Sequence, residues 1–180
     1  MYSMSYKITE DVQLEVAGLS VTAKGKKGED KKVFKAKHIV LKKEGDTFTV
    51  TTDSPRKVDR TDVGTIIGHV KNMVEGVEKG FTYKMKVVYA HFPVTVKVTG
   101  KKLVVENFLG EKMARSMDLV EGVTVQVKGP EITLTGVDKE LVGLCASQLE
   151  QLCRIRDRDR RVFQDGIYII EKNGVSTLHK

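Results

Sequence analysis

One stretch of this chain is written twice. Val12-Gln13-Leu14-Glu15-Val16-Ala17-Gly18 aligns with Val94-Thr95-Val96-Lys97-Val98-Thr99-Gly100, and at the same offset Gly28-Glu29 falls on Gly110-Glu111. Self-similarity at fixed spacing constrains a fold more tightly than local propensity, because it requires a duplicated structural unit. Further along, Gly45 to Thr51 matches Gly129 to Thr135, turn residues followed by the period-two alternation of a half-buried strand. Val58-Asp59 and Val137-Asp138 then each precede a helical pattern. Val63, Ile66, Ile67, Val70 and Val74 form one apolar stripe, and Val142, Cys145, Leu149, Leu152 and Cys153 form the other.

Asp59 or Asp62 and Asp138 are the expected N-caps, and Gly76 is the expected end of the first helix. Gly80-Phe81-Thr82 pairs with Gly166-Ile167-Tyr168 as a closing strand, so each copy reads strand, strand, strand, helix, strand. The expected fold class is α+β: two tandem homologous domains, residues 1–82 and 83–180, each a small, mostly antiparallel β-structure packed with one α-helix. Lys84 to Phe92, ending at Pro93, reads as a stiff extended connection between them.

Of the 180 residues, 40% are hydrophobic and 31% charged, enough to bury a core and too apolar for a disordered chain. The net charge of +7 favours a polyanionic partner, with nucleic acid the leading class. No apolar run approaches the roughly 20 residues needed to span a bilayer, and the opening residues do not resemble a signal segment, so no membrane association and a cytoplasmic location are expected. Cys145 and Cys153 stand too far apart along one helix to form a disulfide and read as buried apolar thiols.

The basic residues fall in two groups of different chemistry. Lys24, Lys26, Lys27, Lys31 and Lys32 belong to a lysine-rich hairpin whose ammonium groups suit phosphates as point charges, or serve as a solvated loop. Arg154, Arg156, Arg158, Arg160 and Arg161 lie beside Phe163, Gln164, Asp165, Gly166, Tyr168 and Lys172. Guanidinium offers planar, bidentate donors to phosphate and stacks on bases, and the rings of Phe163 and Tyr168 offer faces for stacking, a combination suited to structured RNA. The interleaved Asp157 and Asp159 can fix the direction of some arginines, or make the segment a surface salt-bridge ladder after a helix end.

An enzyme requires convergent groups, whereas His38, His69, His91 and His179 are scattered and match no metal-ligand or triad spacing. Lys24-Gly25-Lys26-Lys27-Gly28 lacks the Lys-Ser/Thr ending of a nucleotide-binding loop. No catalytic residue, metal, cofactor or small-molecule substrate is therefore expected. Charge alone does not separate a structural RNA-binding protein from a free RNA-binding regulator.

Gln151, Ile155, Arg158, Arg161, Phe163, Asp165, Gly166, Ile167, Tyr168, Ile169 and Lys172 together resemble the signature of the sixth large-subunit ribosomal protein family, in its archaeal and eukaryotic branch. Gly129 to Thr133 and Gly136 to Glu140 resemble further family segments. The resemblance covers nearly the whole chain and implies two like domains in the large ribosomal subunit. It further implies binding of large-subunit rRNA mainly through the second domain, which agrees with the arginine placement; the expected contact is Arg154, Arg156, Arg158, Arg160, Arg161, Phe163, Gln164, Asp165, Gly166, Tyr168 and Lys172. The implied position is near the sarcin-ricin region and the stalk base, beside neighbouring ribosomal proteins and close to where translation factors dock.

Overall fold

The computed structural model describes residues 2–9, 11–159 and 161–177, so Arg160 and His179 lie outside the described residues. The chain divides into two compact units, Met1–Gly80 and Phe81–Lys180, each with its own core.

In the first unit, β1 (Tyr2–Lys7) is followed by an antiparallel meander of β2 (Gln13–Ala17), β3 (Ser20–Gly25) and β4 (Gly28–Val33), then by the hairpin β5 (Ile39–Glu44) and β6 (Thr47–Thr52), and finally by α1 (Lys57–Glu78). The hairpin pairs with β1 in the order β1-β6-β5. Alternation explains β6: Phe48 and Val50 point into the core with no exposure, while Thr47, Thr49 and Thr51 face the other side. Helix α1 lays Val63, Ile66, Val70, Met73, Val74 and Val77 over β1, β3 and β6.

The second unit repeats that order. Its first strand, β7 (Phe81–Val88), precedes a meander of β8 (Thr95–Thr99), β9 (Lys102–Glu106) and β10 (Arg115–Asp118), with a 3-10 turn at Phe108–Gly110. The hairpin β11 (Val123–Lys128) and β12 (Glu131–Gly136) and the helix α2 (Lys139–Leu152) come next. Here the chain continues into β13 (Gly166–Lys172) and the short β14 (Val175–Ser176), completing a five-stranded antiparallel sheet ordered β11-β12-β7-β13-β14. Val142, Cys145, Ala146 and Leu149 of α2 cover Phe81, Tyr83, Met85, Ile132, Leu134 and Ile167.

The two-domain α+β architecture is as expected, and several details differ. Each copy has six strands before its helix, not three. Phe81–Val88 neither closes the first copy nor connects the two; it is the central strand of the second sheet, paired with β12 on one side and β13 on the other. Alternation cannot distinguish these roles, because an extended connection and a strand buried on one face have the same period. The true counterpart of β7 is β1: Tyr6 stands opposite Phe48 as Met85 stands opposite Ile132.

The ends of α1 also differ from expectation. Its N-cap is Arg56, in extended geometry and without a side-chain cap, while Asp59 lies buried in the first turn, where a helix N-terminus favours negative charge. The helix runs on past Gly76 to Glu78. In α2, Asp138 is the N-cap as expected, accepting from the Glu140 N–H at 2.7 Å.

The lysine hairpin docks on the end of α1. The Lys27 N–H donates to the Val77 carbonyl at 2.9 Å, satisfying one of the acceptors left over at a helix C-terminus. Gly25 permits this approach, because a Cβ there would stand 2.7 Å from the same carbonyl oxygen, which belongs to the backbone and cannot swing aside. Gly25→Ala should therefore destabilise the protein by about 2 kcal/mol, the usual scale for overpacking a tight contact. Urea unfolding measures this, and an unchanged midpoint would contradict the packing argument.

Candidate RNA-binding surface

The arginine segment leaves α2 at Cys153 and reaches β13 at Gly166, and its ends are anchored before its charges are displayed. Cys153 and Ile155 are buried at the start; Asp165, Gly166 and Ile167 are buried at the finish. The Asp165 carboxylate accepts from the Ala90 N–H at 3.0 Å, tying the loop to the residues just beyond β7. Between these anchors Arg154, Arg156, Arg158 and Arg161 are all exposed.

Local turns shape the middle. Asp157 takes a left-handed backbone (φ 56°), which aspartate tolerates better than most residues. Asp159 organises the next turn: its carbonyl accepts from the Val162 and Phe163 N–H groups, and its carboxylate accepts from the Arg161 N–H at 2.9 Å. The same carboxylate receives Nε and a terminal nitrogen of Arg161 at 3.2 and 3.0 Å. These side-chain and backbone hydrogen bonds hold the Asp159 carboxyl below its ordinary pKa, and the Arg161 guanidinium is raised in turn. Of the two interleaved acids expected to aim arginines, Asp159 does so. Arg161 nevertheless remains 91% exposed, so an anionic ligand can reach it.

The aromatic residues have separate tasks. The Arg158 guanidinium lies 5.0 Å from the centre of the half-buried Phe163 ring, a cation–π contact that holds the charge at the surface. The Tyr168 hydroxyl donates to the Gln164 carbonyl at 3.1 Å, and Gln164 reaches back to the Arg161 carbonyl. Any side chain at Gly166 would meet the Tyr168 ring at about 3 Å, so this glycine leaves the ring its place. Arg154, Ile155, Gly166 and Tyr168 line an open pocket of about 320 Å³. Lys172, at the far end of β13, holds its ammonium 6.0 Å from the Tyr83 ring.

Two contributors were missed in the sequence. Lys86 stands directly opposite Tyr168 on the exposed face of the sheet, adding a cation beside the ring. Its signal was the Lys84, Lys86 alternation in β7. The other is Arg115, on β10. It stacks 4.5 Å from the centre of the Phe108 ring, receives the Glu111 carboxylate on two nitrogens (2.6 and 2.9 Å), and donates to the carbonyls of Leu152 at 2.7 Å and Arg154 at 3.3 Å. Those carbonyls belong to the end of α2 and the start of the arginine segment, so Arg115 is the peg on which the segment hangs. Its hydrogen bonds to Glu111 raise its own pKa and lower that of Glu111.

Beneath the segment, burial pushes the Cys145 thiol up and the Cys153 thiol up to about 12. Below about pH 8.5, the ordinary thiol pKa, both are neutral whether the chain is folded or unfolded. As pH rises toward 12 the unfolded chain ionises first, so this contribution to stability is progressively lost. At pH 8 neither thiol should react with Ellman's reagent faster than the protein unfolds; rapid native-state labelling would refute the burial.

The lysine hairpin belongs to the other unit and is arranged differently. Lys24 pairs with Glu15 at 3.4 Å, Lys26 with Asp11 at 2.8 Å, and Lys32 Nζ lies 3.1 Å from His69 Nδ1, while Lys27 and Lys31 are exposed. Among the described residues no group of three His, Cys, Asp or Glu side chains is placed to hold a metal ion, and no helix is long and apolar enough to cross a membrane.

The sequence matches the family described as Ribosomal protein L6 over residues 8–80 and 92–166, one stretch in each unit. Similar proteins include the "Large ribosomal subunit protein uL6" of Methanocella arvoryzae, 45% identical over 167 residues (92% of this chain, 94% of the relative). That of Methanosphaera stadtmanae is 47% identical over 166 residues (92% and 90%), and that of Archaeoglobus fulgidus 42% identical over 171 residues (92% and 87%). With both repeats matched and archaeal relatives aligned along most of its length, the chain belongs to the ribosomal protein L6 family and has a structural, RNA-binding role in the translation machinery.

Proposed function

We propose that this protein is a constituent of the large ribosomal subunit that grips large-subunit rRNA with its second domain, near the sarcin-ricin region and the stalk base, and so supports the site where translation factors dock. The observation carrying this reading is the pinned arginine segment: Arg154, Arg156, Arg158 and Arg161 are presented on anchored backbone next to Phe163, Tyr168 and Lys86. Forked guanidinium donors fit phosphate oxygens two at a time, and the Tyr168 ring beside its pocket suits a base removed from its stack. Gln164, Asp165, Gly166 and Lys172 complete the contact by shaping and flanking it, and Arg160 falls within the same stretch. Neighbouring ribosomal proteins at the stalk base are the further partners, and the cytoplasm is the compartment.

Lys24, Lys26, Lys27, Lys31 and Lys32 are a secondary contact in this reading, since three of the five already have partners within their own unit. Sedimentation of cell extract followed by hydroxyl-radical footprinting with a cleaving group tethered near residue 161 tests the proposal. The chain should travel with the large subunit and direct cleavage to the sarcin-ricin region. Cleavage confined to a remote rRNA domain would overturn the placement, and failure to sediment with the subunit would overturn the assignment itself.

A further inference from the structure

We infer that the outer edge of β1 is a docking edge for an extended segment of a neighbouring protein, which adds to the first sheet as β13 adds to the second. The two copies supply the comparison. In the second, β7 is hydrogen-bonded on both sides, to β12 and β13, and β13 places Ile167 and Ile169 alongside Val87 and Met85. In the first, β1 pairs only with β6, and no described strand takes the other side.

The side chains respond to that difference. Registered against their hairpins, Tyr2, Met4 and Tyr6 are the counterparts of Phe81, Tyr83 and Met85. The second set is 1%, 7% and 0% exposed, whereas Tyr2 and Met4 are each 39% exposed and Tyr6 is half-buried. An apolar stripe beside a row of unpaired backbone donors and acceptors is the combination that strand addition uses, with main-chain hydrogen bonds for affinity and alternate side chains for specificity. Natural edges are usually protected by charge, proline or a bulge, yet Tyr2-Ser3-Met4-Ser5-Tyr6-Lys7 carries one charge and no proline, and its register with β6 is unbroken.

The flanking chemistry narrows the occupant. Partial burial, then Glu75 and Glu78 of α1, push the Tyr6 phenol up, and at the other end Arg60 lies 5.8 Å from the centre of the Tyr2 ring. A strand with apolar residues at alternate positions and a basic residue near the Tyr6 end fits this edge. Nucleic acid fits it poorly, since the edge supplies a single lysine and faces two carboxylates. A second copy fits less well than a different protein, because each copy carries a net charge of +7.

Two measurements test this, the second resting on the large-subunit assignment. In the free chain, amide hydrogen exchange across Tyr2–Lys7 should be at least tenfold faster than across Phe81–Val88, and equal protection would mean that the edge is already covered. In purified large subunits, exchange across Tyr2–Lys7 should slow at least tenfold, and a benzophenone side chain at position 4 should photo-crosslink to one extended, alternately apolar segment of a neighbouring ribosomal protein. Crosslinking to rRNA, to a second copy or to this chain itself would overturn the inference, as would unprotected amides without an adduct. A chain that sediments with the subunit yet shows those results loses only the docking edge. One that fails to sediment loses the large-subunit assignment, and the inference falls with it.

Discussion

Replacing Arg158 and Arg161 together by alanine should weaken binding to large-subunit rRNA about a hundredfold, whereas replacing Lys26 and Lys27 should cost no more than a few fold. A charge-assisted hydrogen bond of the kind guanidinium makes to phosphate corresponds to roughly tenfold in affinity, so two independent contacts give the larger figure. Lys26 already serves Asp11, and an ammonium group is a point charge that lacks the planar fork with which guanidinium holds two phosphate oxygens at once. The signature of the mechanism is salt. With about five phosphates neutralised and a slope of roughly −0.7 per contact, raising salt from about 50 to 200 mM should lower wild-type affinity on the order of a hundredfold, and the double variant should show a shallower slope. Filter binding across that range measures both. Equal losses in the two variants, or a flat salt response, would remove the arginine segment from the centre of the interface.

Arg115→Met should destabilise the second domain by about 3 kcal/mol while keeping much of the side chain's bulk. The ion pair with Glu111 counts for little, because the Glu111 side chain is 41% exposed. The larger cost comes from the Leu152 and Arg154 carbonyls, which lose a charged donor at the end of a helix, where hydrogen bonds to charged groups are worth roughly 1.5–3 kcal/mol each. For a unit of about 100 residues this corresponds to a fall in melting temperature of roughly 15 °C. The variant should also lose rRNA affinity although Arg115 need not touch RNA, because the arginines would no longer leave the helix from a fixed point. Thermal melts and binding below the melting temperature separate the two effects, and full stability in Arg115→Met would show that the peg is not needed.

The difference between these two sites marks what sequence reading can reach. Arg158 and Arg161 could be proposed from the sequence because their chemistry is local: density of one charge type, rings a few positions away, and a recognisable signature. The helices were legible because Val63 to Val74 and Val142 to Cys153 state their buried stripes at helical spacing. Arg115 was not, since its partners at Leu152 and Arg154 are remote in sequence and are backbone carbonyls, which no side-chain pattern announces. Strand β1 escaped for the opposite reason. Tyr2, Met4 and Tyr6 alternate with Ser3 and Ser5, but so short a run shows its meaning only when β6 is found beside it. The closing-strand match of Phe81 with Ile167 was a misalignment, because two neighbouring strands of one sheet share the same alternation.

A strand has only two edges. Because Gly80 leads straight into β7, and β7 gives both edges to its own sheet, the residues after α1 cannot return to β1 as the residues after α2 return to β7. Head-to-tail joining therefore makes sibling domains unequal by position and not by composition. Here the second copy closes its own sheet, while the segment after the first helix serves as the central strand of the second. Exchanging the two sequences would not exchange their architectures unless the segment following each helix were moved as well.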